Sequence, residues 1–279
     1  MPNSCRRFGC LGLIIFLTAG CEIDPRALLS HPDVNKRVRE SLNLLNSPPS
    51  FPDDTIRFAV FGDLHIGKPA GCYWQDFLIV ACSLRLNFFC VAGDLTDHGT
   101  DAEFDSVANL FLQTGLTYFV TLGNHDLYRH NSWEYYKERF GPSCYAQKIN
   151  NRLKLIFLDT GEGRLGAVQF NWLEQELTTP PARTIIITHF PLYDDQTPTI
   201  FRLGSNAERA KLQSLMQQFN VFAICSGHIH GFRHYQLGGI NHFTIGTMNR
   251  ALDFGKPGFL LFTCLPDTIL WRFVPLNAN

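Results

Sequence analysis

Apolar runs of strand length, rich in β-branched and aromatic residues, recur at Ile56–Phe61, Phe88–Ala92, Thr117–Leu122, Leu153–Leu158, Thr184–Thr188 and Val221–Ser226. Between them lie amphipathic stretches of helix length, at Tyr73–Leu86, Asp101–Gln113, Ser132–Phe140, Gln169–Leu177 and Asn206–Phe219. Strand alternating with helix predicts an α/β chain of mostly parallel strands with helices on the sheet faces. After residue 230 the pattern changes to strands alone, at Phe232–Leu237, Ile240–Ile245, Gly258–Cys264 and Thr268–Val274. Short Gly-containing and Pro-Asp turns separate these, which predicts an antiparallel meander. Two such sheets would pack face to face with helices outside. Ligands of open α/β sheets gather beyond the carboxyl ends of the strands.

Those ends carry the polar residues. In order they read FGDLHIG at 61–67, AGDLTDHG at 92–99, LGNHD at 122–126, THFPLY at 188–193 and SGHIHG at 226–231. Each follows an apolar strand, and together they supply Asp63, His65, Asp94, Asn124, His125, His189, His228 and His230. Asp63 and His65 are two residues apart, as are His228 and His230, so each pair projects to one side of an extended chain. Oxygen and imidazole donors without thiolate suit divalent Mn, Fe or Zn. The donors are too many for one tetrahedral ion and suffice for two if one carboxylate bridges. Two dications set against two aspartates leave a positive excess. Such a pair about 3.5–4 Å apart attracts a phosphate ester and lowers the pKa of a shared water toward neutrality.

The ordered blocks D-x-H, G-D, G-N-H-D, H and G-H-x-H resemble the calcineurin-like metallophosphoesterase superfamily over about Arg57 to His230. The resemblance implies a four-layer αββα sandwich of two mixed β-sheets flanked by helices. It also implies metal-dependent hydrolysis of phosphoesters by a metal-bridging hydroxide attacking in line. Carried over by position, Asp63, His65, Asp94 and His230 would hold one ion, and Asp94 would bridge to a second held by Asn124, His189 and His228. His125 would lie beside the substrate and stabilise the phosphate or protonate the leaving oxygen, with Asp126 orienting it. Purple acid phosphatases place a tyrosine three residues after the bridging aspartate; Asp97 stands there, which speaks against a purple centre. GDLTDHG and GNHD look more like bacterial cyclic-nucleotide phosphodiesterases. A phosphomonoesterase of the same fold, or a scaffold that binds metal without turnover, are the alternatives.

The N-terminus has a different character. Arg6 and Arg7 precede the apolar run Leu11–Leu17, too short to span a bilayer, so residues 1–20 read as a signal peptide. Thr18, Ala19 and Gly20 before Cys21 resemble a bacterial lipoprotein signal, in which that cysteine is acylated; a plain secretory signal is the alternative. The expectation is an exported lipoprotein anchored to the cell envelope membrane through Cys21. Residues 21–54 would be the lipidated N-terminus and tether, with Val34, Val38, Leu42 and Leu45 as a helical stripe packing on the domain at 55–279.

Composition narrows the partners. The chain of 279 residues is 45% hydrophobic and 18% charged with net charge −1, so bulk charge offers no nucleic-acid surface. Beyond Cys21 the six cysteines, Cys72, Cys82, Cys90, Cys144, Cys225 and Cys264, show no metal-ligand spacing, and Cys90 and Cys225 sit inside apolar strands as buried thiols. His98, Tyr128, Arg129 and His130 read as loop surface after the motif blocks. Asp194, Asp195 and Arg202 read the same way, His234 and His242 as structural, and His31 as part of the tether.

Overall fold

The computed structural model describes residues 33–44, 49, 51–52, 55–179, 181, 183–193, 201–250 and 255–276. The signal segment, Cys21, His31, Leu45, Asp194 and Asp195 lie outside the described residues. Strands β1 (Ile56–Phe61), β2 (Phe88–Ala92), β3 (Thr117–Thr121), β10 (Gly258–Cys264) and β11 (Ile269–Pro275) form one sheet in the order β11-β10-β1-β2-β3. Strands β4 (Tyr145–Lys148), β5 (Leu153–Phe157), β6 (Arg183–Thr188), β7 (Ala223–Ser226), β8 (Arg233–Leu237) and β9 (Ile240–Thr244) form the other, in the order β4-β5-β6-β7-β9-β8. In each sheet the central strands run parallel: β1, β2 and β3 in the first, and β5, β6, β7 and β9 in the second.

The central strands are buried on both faces, because successive side chains of each apolar run point to opposite sides, one set into the space between the sheets and the other away from it. Leu155, Phe157, Ile185, Ile187, Ala223 and Cys225 point into the shared core, while the intervening Ile156, Ile186 and Ile224 point outward into a second apolar layer. Phe119 meets Phe157 across the sheets at 6.0 Å, and Phe243 meets Phe262 at 5.9 Å. Helices α2 (Trp74–Leu84), α3 (Asp101–Leu112) and α4 (Ser132–Phe140) accompany the first sheet; α5 (Gly166–Leu177) and α6 (Asn206–Gln218) cover the second. The start of α3 is fixed by a reciprocal capping box between Thr100 and Glu103. The result is the αββα arrangement expected from the resemblance.

Three features differ from the sequence reading. The strands after 230 are two hairpins, not one meander: β8–β9 extends the second sheet, and β10–β11 pairs with β1 of the first. The long connection between them changes sheets, and periodicity carries no mark of which sheet a strand joins. Strand β4, YAQK, is a short edge strand with too little apolar character to register. The stripe before the domain is helix α1 (Val34–Leu42), whose Val34 and Val38 are buried with Cys144 beside Val168 and Trp172. All six described cysteines are free thiols, with Cys90 and Cys225 buried. Among the described residues no helix is long and apolar enough to cross a membrane.

Candidate metal centre

Asp63 and His65 follow β1, Asp94 follows β2, Asn124 and His125 follow β3, His189 follows β6, and His228 and His230 follow β7. The carboxyl ends of five parallel strands, from both sheets, thus face one place. The turns that bring them there are strained. Among described residues other than glycine, positive φ occurs at Asp63, His65, Arg85, Asp94, Asn220, His228 and His230, and five of these are expected ligands. Each such conformation costs about 1–3 kcal/mol and persists only where its surroundings enforce it. Here the Asp63 amide donates to the Gly93 carbonyl and the His65 amide to the Asp94 carbonyl, both at 3.1 Å. From the β9–β10 connection, the Thr247 hydroxyl donates to the Asp63 carbonyl at 3.1 Å, and the Asn249 amide to the Leu64 and His65 carbonyls at 3.0 and 3.3 Å. Gly93 is required as well: a Cβ there would lie 2.7 Å from His189 Nδ1.

The donor atoms are mutually close. His65 Nε2 lies 3.4 Å from His230 Nε2 and 3.5 Å from Asp94 Oδ2, and His230 Nε2 lies 3.4 Å from Asp63 Oδ1. On the other side His189 Nε2 lies 3.3 Å from Asp94 Oδ2, 3.0 Å from Asn124 Oδ1 and 3.2 Å from His228 Nδ1. Asp63, His65, Asp94 and His230 form one group able to hold an ion, and Asp94, His189 and His228 form another. Asp94 belongs to both, as a bridging carboxylate must. Adjacent donors around an ion with bonds near 2.1 Å stand about 3.0–3.4 Å apart, so this spacing fits a dication in each group. Imidazole nitrogens directed at each other at such distances need a proton or a cation between them.

The electrostatics agree. Burial raises the Asp94 carboxyl and favours its neutral form, but His189, His125 and His65 outweigh it and hold Asp94 well below the usual carboxylate range. Burial opposes charge on His189 too, yet Asp94 and Asp63 lift its pKa to about 9. Burial, then the neighbouring His189, pushes His228 down to about 3. The ionised Asp94 and Asp63 thus draw protons onto His189 and His230, and a metal ion would displace those protons and take over their positive charge. The orientation of the imidazoles is also prepared. His189 Nδ1 sits 2.8 Å from the Ala92 carbonyl, so it donates there and leaves Nε2 as the nitrogen facing the site, where a metal ion would replace its proton.

His125 stands at the opening, its side chain 15% exposed, with its ring 4.3 Å from those of both His65 and Tyr128. Asp126 does not orient it, which corrects the sequence expectation. The Asp126 carboxylate turns away and accepts from the amides of Leu95, Thr96 and Gly123 and from the Thr96 hydroxyl, tying together the two loops that carry Asp94 and Asn124. Burial, then Asp94, raises its pKa to about 6. The residue after an imidazole in a tight 3-10 turn points elsewhere, so adjacency in sequence misleads. The group behind His125 is Asp97, whose carbonyl oxygen takes the Nδ1 proton at 2.8 Å. The Asp97 carboxylate also lies 3.5 Å from His65 Nδ1 and 3.0 Å from Lys68 Nζ. His65, Asp97 and His125 form a third donor group, already supplied with a cation by Lys68.

Other site residues escaped the sequence. Tyr128, expected on the loop surface, accepts a hydrogen bond from Asn124 Nδ2 at 3.2 Å and thereby directs Oδ1 toward His189. Its only signal was its place four residues after Asn124. Phe190 covers His228, ring to ring at 3.9 Å, and Phe201 adds a 39% exposed ring 5.8 Å from it. His98 pairs with Asp97 and Glu103 outside the ligand sets. His234 and His242 lie in the β8–β9 hairpin, stacked on Phe243 and Tyr235 in the structural role expected.

Comparison with known proteins agrees with this geometry. The sequence profile described as calcineurin-like phosphoesterase matches residues 56–232. A cAMP/cGMP dual specificity phosphodiesterase of Mycobacterium tuberculosis is 26% identical over 222 residues, 70% of this chain and 68% of that protein. A "probable cyclic nucleotide phosphodiesterase" of Fibrobacter succinogenes is 21% identical over 80% of this chain and 91% of its own length. A dimetal phosphatase from Danio rerio shares the fold with a TM-score of 0.62 at 14% identity, covering 81% of this chain and 98% of that one.

Proposed function

The chain belongs to the calcineurin-like phosphoesterase family and is a metal-dependent phosphoester hydrolase, and from that premise we propose that it is a binuclear phosphodiesterase acting on cyclic nucleotides. The observation that carries the reading is the gathering of six expected ligands into two donor groups that share Asp94, with the seventh, Asn124, beside His189 and with His125 at the mouth. When bound, two divalent ions would supply a water acidic enough to attack phosphorus and positive charge to offset that on the phosphoryl oxygens.

The remaining work falls to side chains. Asp63, His65, Asp94 and His230 hold one half of the centre; Asn124, His189 and His228, with Asp94 shared, hold the other. His125 donates Nδ1–H to Asp97, so Nε2 is the atom directed to the substrate. There it stabilises a phosphate oxygen or carries the proton that the departing alkoxide needs. Phe190 and the exposed Phe201 give the His228 side of the opening an apolar wall suited to a flat ring. The two relatives named for cyclic nucleotides support this substrate class.

A panel of metal-reconstituted protein with cyclic nucleotides, bis-p-nitrophenyl phosphate and p-nitrophenyl phosphate tests the reading. Diesters, cyclic nucleotides included, should be cleaved faster than the monoester. Faster monoester cleavage would make it a phosphomonoesterase, and metal binding with no turnover would make it a scaffold.

The N-terminal sequence supports an enzyme exported and held at the cell envelope by an acylated Cys21. Metabolic labelling with a fatty acid should mark the wild type and not Cys21→Ser; equal labelling would overturn the anchor.

A further inference from the structure

Arg37 lies outside the stretch that the family profile matches, on α1, yet it is fully buried. Its guanidinium grips Asp159 with two parallel hydrogen bonds, Nε to Oδ2 and Nη2 to Oδ1, both 2.9 Å, and Nη1 reaches Glu162 at 2.7 Å. Asp159 is a hub: Oδ2 also accepts from the Ser143 hydroxyl at 2.8 Å, and Oδ1 from the Gly161 amide at 3.3 Å. A charge so deeply buried is costly unless its partners are fixed, and none of these groups belongs to either donor group of the centre.

The loop that Asp159 opens does touch the centre. Thr160, also fully buried, accepts at Oγ1 from the amides of His189 at 3.1 Å and Phe190 at 3.0 Å. With both lone pairs used, its proton goes to Thr188 Oγ1 at 2.9 Å. One side chain thus sets the backbone of an expected ligand and of the ring covering His228. The next residue, Gly161, presses on the strand end before Asn124: a Cβ there would stand 3.0 Å from the Gly123 carbonyl and 2.4 Å from Leu122 Cδ1. The loop therefore braces the turns of two ligands in the same half of the centre.

We propose that Arg37 is a positioning residue for the Asn124, His189 and His228 half of the metal centre, acting through Asp159 and its loop. Helix α1 is then part of the site's framework. Without the guanidinium, the Asp159 carboxylate would keep only a hydroxyl and an amide, and the turn that aims Thr160 at His189 would relax. The inference rests on the metal reading above, but its first test does not.

The test uses the full chain and four substitutions. In metal-free protein, Arg37→Met should speed hydrogen exchange of the His189 and Phe190 amides by about tenfold, the equivalent of one hydrogen bond. In a His230→Ala background, which leaves only the second half complete, Arg37→Met should weaken Mn²⁺ binding by about tenfold or more. Val38→Ala is the control, because Val38 holds α1 by apolar contact alone. It should lower stability while leaving Mn²⁺ affinity within about twofold. Should Arg37→Met not fold, Arg37→Lys keeps the charge without the fork and should show the same changes at smaller size. Wild-type exchange and affinity in the Arg37 variants, or an equal affinity loss in Val38→Ala, would overturn the proposal. Wild-type protein that binds two ions and cleaves no ester would sink the phosphodiesterase reading alone. Wild-type protein that binds no ion would sink the centre, and amide exchange would still decide whether Arg37 holds the loop.

Discussion

The two halves of the centre are held by different means. In the half of Asp63, His65 and His230, all three residues have left-handed backbone, with φ of 55°, 45° and 57°. Their positions are set by the chain itself, and the β9–β10 connection locks the strained turn through Thr247 and Asn249. Of the ligands belonging to the other half alone, Asn124 has an ordinary helical φ of −72° and His189 has no positive φ; only His228, at 70°, is left-handed. There the precision comes from side chains: Tyr128 turns the Asn124 amide, the Ala92 carbonyl fixes the His189 ring, and Thr160 holds its backbone. Strain concentrates geometry in a short stretch of sequence. Bracing distributes it over residues far away, down to Arg37.

Substitutions can break this contrast, the most damaging first. Asp94→Asn should cripple both halves at once, losing several kcal/mol of charge stabilisation, or about 10³-fold in kcat/KM; steady-state kinetics with metal analysis would show both losses together. His125→Ala should reduce turnover by about 10²-fold while leaving metal content intact, because its ring donates to the Asp97 carbonyl and supplies no donor atom to either ligand group. Asn249→Ala leaves the Leu64 and His65 carbonyls without their side-chain partner, so it should cost about 1–3 kcal/mol in chemical denaturation and weaken the first half selectively. Tyr128→Phe should have the smallest effect. It removes about 1 kcal/mol of support for the Asn124 amide, which is about fivefold in Mn²⁺ affinity of the second half with no change in the first. If Asn249→Ala and Tyr128→Phe weakened both halves equally, the distinction between strain and bracing would fail.

The same contrast decides what the sequence could reveal. The strained half is readable because D-x-H and G-H-x-H put ligands and the glycines their turns need within a few residues, right after an apolar strand. The strands themselves are readable as near-continuous apolar runs buried on both faces, and β1, β2 and β6 fall where Ile56, Phe88 and the Ile-rich run before Thr188 place them. Bracing residues carry no such mark. Tyr128 and Thr160 are ordinary residues whose value lies in hydrogen bonds, Tyr128 within its own turn and Thr160 to His189 across the fold, and a hydroxyl's partner cannot be inferred from its neighbours in the chain. Asp126 shows the converse error: beside His125 in sequence, it serves the backbone of two loops in space. The two C-terminal hairpins were visible as strands, but their assignment to separate sheets depends on pairing with β1 and β7.

The most direct measurement is a crystal structure of the protein grown with Mn²⁺, with anomalous scattering recorded to locate the ions. Two peaks about 3.5–4 Å apart are expected, one among Asp63, His65 and His230, one among Asn124, His189 and His228, and Asp94 touching both. A single ion, or ions bound away from Asp94, would contradict the binuclear centre.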